Sequence, residues 1–399
     1  MTRTTKLFAA AALGIVLGAS ACQNDQLFRP ANFVPIDPLF ARYVSMGNSI
    51  TAGFQSGGIN DSTQLQSYAV LLANRMGSPF FEPLMNRPGC PAPYTNVFTQ
   101  TRVAGGPTTC ALRKIQAVPP PYISNTAVPG AEAIDPYNNF DAASNANALT
   151  TFFLGGMTQV QMMERARPTF VTLWIGNNDV LGAATNSANG GDSALVTPVA
   201  AFQTRYSALL DSIEAVNPQG VVLIGVANVT AIPFFSRGST YLGAKLANQL
   251  PPTMTVTANC APPRGDSVLV PFPFGAALVG AAAAGGSTTL DCTEIQTVQP
   301  AELVNLVSTV TAYNSYIASQ ATARGWTYYN PNTALDSLRT VATAVRPFPL
   351  IGQPCSANPF GTAFSCDAVH PSAATHKLIA NKLRQAINAA YGTAIPAIF

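Results

Sequence analysis

The chain predicts an α/β fold: a parallel sheet with helices on both faces and long insertions between its elements. Two short runs, Thr169 to Ile175 and Val221 to Val226, are β-branched and aromatic and nearly continuous, as strands buried on both faces are. Stretches with apolar residues at helical spacing separate and follow such runs, and strand-helix alternation is the pattern of a parallel sheet with crossover helices. No internal repeat divides the 399 residues, so one elaborated domain is more economical than two.

The elements follow in order. Arg3 and Lys6 precede an apolar run, Leu7 to Gly18, too short to span a bilayer as a mature helix. Ala19-Ser20-Ala21-Cys22 then supplies small residues ending in cysteine. The stretch reads as a secretory signal and resembles a bacterial lipoprotein signal, with Ala19 where Leu is commoner. That resemblance implies cleavage after residue 21 and a lipid on Cys22. It also implies an envelope location, at the outer membrane in a Gram-negative host because Gln23 follows the cysteine. A plain secreted form is the alternative. Residues 22–40, with Pro30, Pro35 and Pro38, read as a tether, and 41–399 as the folded domain.

Phe40 to Met46 is the first strand candidate, and Gln64 to Met76 an amphipathic helix stopped by Gly77. Residues 78–122 read as an irregular insertion. Ile123 to Ala131 is a short extended piece closing on a tight turn, and 135–150 is loop-like. Met157 to Ala166 is a helix ended by Pro168, and 197–216 is another, with Phe202, Tyr206, Leu209, Leu210 and Ile213 on one side. Seven prolines from Pro233 to Pro273 argue against regular core structure in much of 231–300. Phe272, Phe274 and Ala276 to Ala284 are too apolar for a bare loop, so this segment is either a lid over a site or a packed extra hairpin or short helix. Ala301 to Ala323 is helical, Trp326 to Tyr329 a strand, and Ser372 caps a final helix carrying Leu378, Ile379, Leu383 and Ile387.

Bulk composition excludes some functions. Apolar residues make up 48%, normal for a globular core, while charged residues make up only 10%, well below the usual quarter. A net charge of +3 with no basic run gives no case for nucleic acid. Apart from Cys22, six cysteines remain: Cys90, Cys110, Cys260, Cys292, Cys355 and Cys366. An even set in an oxidising compartment suggests disulfides. The expected pairing is sequential, 90–110, 260–292 and 355–366, because each pair brackets a Pro/Gly-rich loop. No CxxC or CxxxH cluster suggests a metal site.

The chemistry centres on Ser49, in Gly47-Asn48-Ser49-Ile50, where an apolar run meets a turn. A serine there is commonly turn chemistry alone. A serine nucleophile needs a base, and the chain offers only His370 and His376. His370 lies in the turn before the last helix, with Asp367 three residues earlier, within reach to fix its tautomer. His376 falls on the side of Ile379 and Leu383 and reads as structural. Gly130, Asn178 and the Ser49 N–H are candidate donors to an oxyanion. Each has a bland reading as a turn glycine or capping asparagine, but all fall at ends of expected strands or helices, where α/β sheets keep their sites.

Four segments together resemble the conserved blocks of the GDSL esterase/lipase family, or SGNH hydrolases. Gly47-Asn48-Ser49-Ile50 resembles the nucleophile block, and Ala127-Val128-Pro129-Gly130-Ala131 the oxyanion-glycine block. Gly176-Asn177-Asn178-Asp179 resembles the Gly-x-Asn-Asp block, and Asp367-Ala368-Val369-His370 the Asp-x-x-His block. Asn48 departs from the usual Asp. The resemblance implies a flavodoxin-like three-layer α/β/α sandwich of about five parallel strands. It also implies a carboxylic-ester hydrolase with a Ser49–His370–Asp367 triad, a Ser49/Gly130/Asn178 oxyanion hole and no cofactor. Its partner would be a small-molecule or lipid ester, with acyl or aryl esters favoured if 231–300 is an apolar lid. An envelope glycan acyltransferase using the same site and a non-catalytic surface binding lipoprotein are the alternatives.

Overall fold

The computed structural model describes residues 34–105, 110, 111, 113, 114, 120–138 and 148–399. The stretch that reads as a signal, Cys22 and most of the expected tether lie outside these residues, as does part of the 78–122 insertion.

Four parallel strands form the sheet: β1 (Tyr43–Gly47), β2 (Phe170–Trp174), β3 (Gly220–Ile224) and β4 (Thr327–Tyr329), paired in that order. Tyr43 pairs with Phe170, Phe170 with Gly220, and Val222 with Thr327. A fifth line flanks β1. Ser45 N–H donates to Ser124 O, Thr126 N–H to Ser45 O and Val128 N–H to Gly47 O, at 2.9, 2.9 and 3.1 Å. The extended piece expected around 123–128 thus covers the edge that β1 would otherwise expose.

The main helices are α1 (Ser49–Ala52), α2 (Tyr68–Met76), α3 (Gln159–Ala166), α4 (Asn178–Ala184), α5 (Val199–Val216), α6 (Pro300–Ala323), α7 (Asn332–Arg339) and α8 (Ala373–Tyr391). Strand alternation sorts the core into two layers. Val44, Met46, Val171, Leu173, Val221 and Leu223 pack with residues of α3, α5 and α6. Tyr43, Phe170, Trp174, Val222 and Ile224 face α2 and α8. Burying each such side chain contributes about 1.5–3 kcal/mol. The result is the expected three-layer α/β/α sandwich.

Several expectations are corrected. Gln64 to Met76 is not one helix. A capping box at Asn60 starts a single turn, Asp61–Gln64, and Ser67 caps α2 anew, which leaves Leu65 50% exposed between them. Residues 135–150 are not all loop, since Ala148–Leu154 is helical. The 78–122 insertion holds a short antiparallel pair, Tyr94–Asn96 with Thr101–Arg102. The 231–300 insertion is regular in several places. Its prolines start structure as well as break it, for Pro273 lies in the first turn of a helix, Phe272–Ala283. Two strand pairs, 235–237 with 269–271 and 254–256 with 288–290, enclose a small core of its own around Tyr241, Met254 and Leu290. The three disulfides are Cys90–Cys110, Cys260–Cys292 and Cys355–Cys366, the sequential pairing.

His376 is structural, as its helical position suggests. It is fully buried, and its Nδ1 accepts the Tyr68 N–H at 3.3 Å, tying α8 to the start of α2. Burial, helped by the His370 charge, pulls its pKa down to about 3. An unfolded histidine titrates near 6.5, so the stability this neutral ring provides is complete above that pH and is lost as pH falls toward 3. Glu82 and Asp179 act in the opposite sense. Burial chiefly raises them to about 8 and about 7, so their contributions are complete at low pH and are lost as pH rises through those values.

Comparison of the wild type with His376→Gln, whose amide oxygen can still accept from Tyr68, isolates the histidine. Urea unfolding at pH 7 and pH 4.5 should show the wild type losing about 3 kcal/mol more than the variant on acidification. An equal loss in both would remove His376 as the acid-sensitive group.

Candidate active site

Ser49 opens α1 immediately after β1. Gly47 makes that turn possible, because a Cβ there would lie 2.3 Å from Trp174 O and 2.6 Å from Thr51 Oγ1. A buried glutamine holds both of its backbone groups. Gln159 Oε1 accepts the Gly47 N–H and Gln159 Nε2 donates to Gly47 O, each at 2.9 Å. Asn48 is the helix cap, its Oδ1 accepting the Ile50 N–H at 3.1 Å. Its Nδ2 donates to Asn177 Oδ1 at 3.4 Å, a bond that an ionised aspartate at this position could not make. The substitution therefore keeps the cap and exchanges a buried charge for an amide contact.

The structure brings Ser49, His370 and Asp367 together. His370 Nε2 lies 2.9 Å from Ser49 Oγ, and His370 Nδ1 lies 2.8 Å from Asp367 Oδ2. The Asp367 carboxylate also accepts from Gly57 N–H at 2.6 Å, from Ser365 Oγ at 3.0 Å, and from the Val369 and His370 N–H groups at 2.9 Å each. Burial alone would raise its pKa. The nearby His370 charge and ring, together with the backbone donors, outweigh burial and hold it at about 2. Asp367 is thus an anion at neutral pH and an acceptor for His370 Nδ1–H, which leaves Nε2 lone-paired toward the Ser49 hydroxyl.

The turn that makes this contact is locally tight. Ala368 adopts φ +62° and is fully buried, with its N–H on Ser365 O and its O accepting the Phe234 N–H at 3.0 Å. Phe234, Phe272 and Phe360 pack around it, so the 231–300 insertion supports the Asp367–His370 turn from behind. Cys366 is bonded to Cys355, and its N–H donates to Ser56 Oγ at 3.1 Å. The Phe54 ring lies 4.9 Å from the His370 ring.

Asn178 reaches the Gly130 turn on the other side, through Ala131. Gly130 takes φ +85° in the turn that Ala131 N–H closes on Val128 O, a conformation that only glycine adopts readily. Asn178 Nδ2 donates one hydrogen to Ala131 O at 2.8 Å, and Asp179 Oδ2 accepts the Ala133 N–H at 2.9 Å. The start of α4 therefore grips the Gly130 turn at two points. Ser49 N–H is at the first position of α1, where a helix leaves its amides unbonded.

A narrow slot, partly open to solvent, lies against Ser49, Asn178 and His370. Ile50, Leu181, Val229, Ile232 and Leu335 make it predominantly apolar. Only the start of the 231–300 insertion reaches it, through Ala231 and Ile232, and its helix does not cover Ser49 as a lid. Among the described residues, no group of three or more His, Cys, Asp or Glu is placed to hold a metal. Gln159, Asn177, Gly57 and Ser365 were not singled out by sequence reasoning. Ser365, two residues before Asp367, was the most legible of these as a turn-forming serine.

A family model described as GDSL-like Lipase/Acylhydrolase matches residues 43–383. No curated protein matches significantly by sequence. Solved structures with a similar chain path include a catalytic mutant of an acetylxylan esterase from Geobacillus stearothermophilus, 11% identical with a TM-score of 0.38, covering 88% of this chain and 94% of that one. An extracellular lipase from Streptomyces rimosus is 14% identical with a TM-score of 0.38, over 86% and 98% of the two chains. A putative GDSL-like lipase from Parabacteroides merdae is 12% identical with a TM-score of 0.36, over 88% and 98%. These scores are too low to support an argument of their own, and the fold rests on the family match and the sheet order.

Asp367→Asn keeps the side-chain shape but removes the charge its donors surround. Its depressed pKa means that the stabilisation is present above pH 3.8 and is lost as pH falls through about 2. The variant should be about 2 kcal/mol less stable at pH 7, with the gap closing between pH 4 and pH 2. Chemical unfolding across that range checks it, and a gap that does not close would show that charge is not the cause.

Proposed function

The chain belongs to the GDSL-like lipase/acylhydrolase family, and on that premise we propose that it hydrolyses carboxylic esters through an acyl-enzyme on Ser49. The observation that carries the reading is the unbroken hydrogen-bond line from Ser49 Oγ through His370 to Asp367. Ser49 Oγ attacks the ester carbonyl while His370 Nε2 takes its proton. The imidazolium that forms faces a carboxylate held ionised, which keeps the ring in one orientation. The carbonyl oxygen becomes an oxyanion, and the Ser49 N–H, the Gly130 N–H and the second amide hydrogen of Asn178 are its proposed donors. Collapse of the intermediate returns the proton from His370 to the departing alkoxide, leaving Ser49 acylated. Water then repeats the sequence with His370 as base, releasing the acid and restoring the serine. The apolar slot suits an acyl chain.

We further propose that the chain acts on the envelope surface, held by a lipid on Cys22. The support is the signal-like segment alone, which lies outside the described residues. Expression with radiolabelled palmitate should label the wild type and not Cys22→Ala. A variant that still carries label, or a wild type without it, would refute the anchor.

A fluorophosphonate probe on the full chain should label Ser49 alone, as read by peptide mapping, and should not label Ser49→Ala. With p-nitrophenyl esters, His370→Ala should lose at least about 10³-fold in kcat, and Asn178→Ala about 10²-fold. A folded wild type that neither labels nor turns over any ester would overturn the hydrolase reading.

A further inference from the structure

The slot beside Ser49 does not end at its apolar wall. Asn228, Asn332 and Asp336 line both that slot and a second, wider groove, open to solvent, at the carboxyl ends of β3 and β4. The two cavities are neighbours across these three residues, and the groove, although Val307, Val310 and Ala318 also line it, is the more polar of the two. We infer that the groove is a binding subsite for a neutral polyhydroxylated alcohol, the leaving group of the ester whose acyl chain occupies the slot. The inference rests on the proposed role of Ser49.

Two of the asparagines form the frame. Asn314 receives the Val226 N–H on Oδ1 at 2.6 Å and returns Nδ2 to Val226 O at 2.9 Å. Asn332 receives the Asn228 N–H at 2.8 Å and donates to Val226 O at 3.0 Å. The segment after β3 is therefore fixed by side-chain amides before any ligand arrives, which lowers the cost of ordering it on binding. Other groups are left over. Asn228 and Asn330 use their side-chain oxygens on neighbouring N–H groups, and their Nδ2 groups make no hydrogen bond to the described residues. The Tyr328 hydroxyl makes none either, and both Tyr328 and Asn330 line the groove. Amide donors, a phenol that donates and accepts, and the Asp336 carboxylate together match the mixed donor-acceptor character of vicinal hydroxyls.

Charge selects against other headgroups. Among the described residues, Asp336 is the one charged residue lining the groove, and Arg339, 3.7 Å from it, lines the slot side. A phosphate or carboxylate in the groove would face the carboxylate with no cation of the groove to receive it. A sugar and a glycerol unit share the favoured chemistry.

The test compares esters of one acyl chain on the full chain: octanoyl glucose, monooctanoyl glycerol and methyl octanoate. The polyol esters should be preferred over the methyl ester by about tenfold in kcat/KM. Ser315 is exposed on α6 and lines the groove, so Ser315→Trp fills it from the surface. That variant should bring the preference to within about twofold, chiefly by slowing the two polyol esters. Preference for the glucose ester identifies a sugar, and preference for the glycerol ester a glyceride. No preference in the wild type, or an equal loss on all three esters in Ser315→Trp, would overturn the subsite. Saturation-transfer NMR of free glucose and glycerol with the Ser49→Ala form separates this result from failure of the hydrolase reading. Signal that disappears when Ser315→Trp is added supports the subsite even without turnover, and no signal from either polyol overturns it.

Discussion

The Asp367 carboxylate is the point on which the molecule closes. One oxygen takes the His370 ring and the Gly57 N–H, the other a serine hydroxyl and two backbone N–H groups of its own turn. Gly57 follows the Ser49 helix and Asp367 lies 310 residues later, so this anion joins the first crossover to the last loop. Such long-range closure is entropically expensive, and a charged acceptor with several donors is among the few local interactions strong enough to fix it. The neighbouring bonds between Ser56 and residues 365 and 366 run in both directions. With the Cys355–Cys366 disulfide, they restrict the loop before the carboxylate is reached.

Beneath the serine, neutral amides do comparable work. Gln159 satisfies both backbone groups of Gly47, and Asn48 connects the cap of α1 to Asn177. These contacts tie the turn to α3 and to the end of β2 without adding charge near Ser49. Polar groups this deep are costly unless each finds a partner, so this layer fixes geometry as well as filling space.

The sandwich was legible because strand alternation and helical stripes were strong: Val171, Leu173, Val221 and Leu223 take one face, and Phe202, Leu209 and Ile213 meet them. The meeting of Ser49, His370 and Asp367 was legible because histidine is so scarce. What sequence reasoning missed was decided by competition between local signals. Leu65 fits the stripe of α2, but two capping residues, Asn60 and Ser67, divide the helix around it. Pro271 and Pro273 look like breakers, although a helix begins at Phe272 between them. Gln159 was invisible as a site residue because its role depends on a backbone group 112 positions away.

Ala368 carries a consequence of its own. A left-handed alanine is unfavourable by roughly a kilocalorie or more, and glycine would relieve it. Glycine would also multiply the shapes available to the loose chain and to the loop whenever its Phe234 contact opens. The methyl group therefore narrows the search: of the few shapes an alanine turn can take, the one that Phe234 and Ser365 hold is the one that aims His370 at Ser49. Backbone discomfort at one residue is exchanged for fewer wrong orientations of the His370 ring.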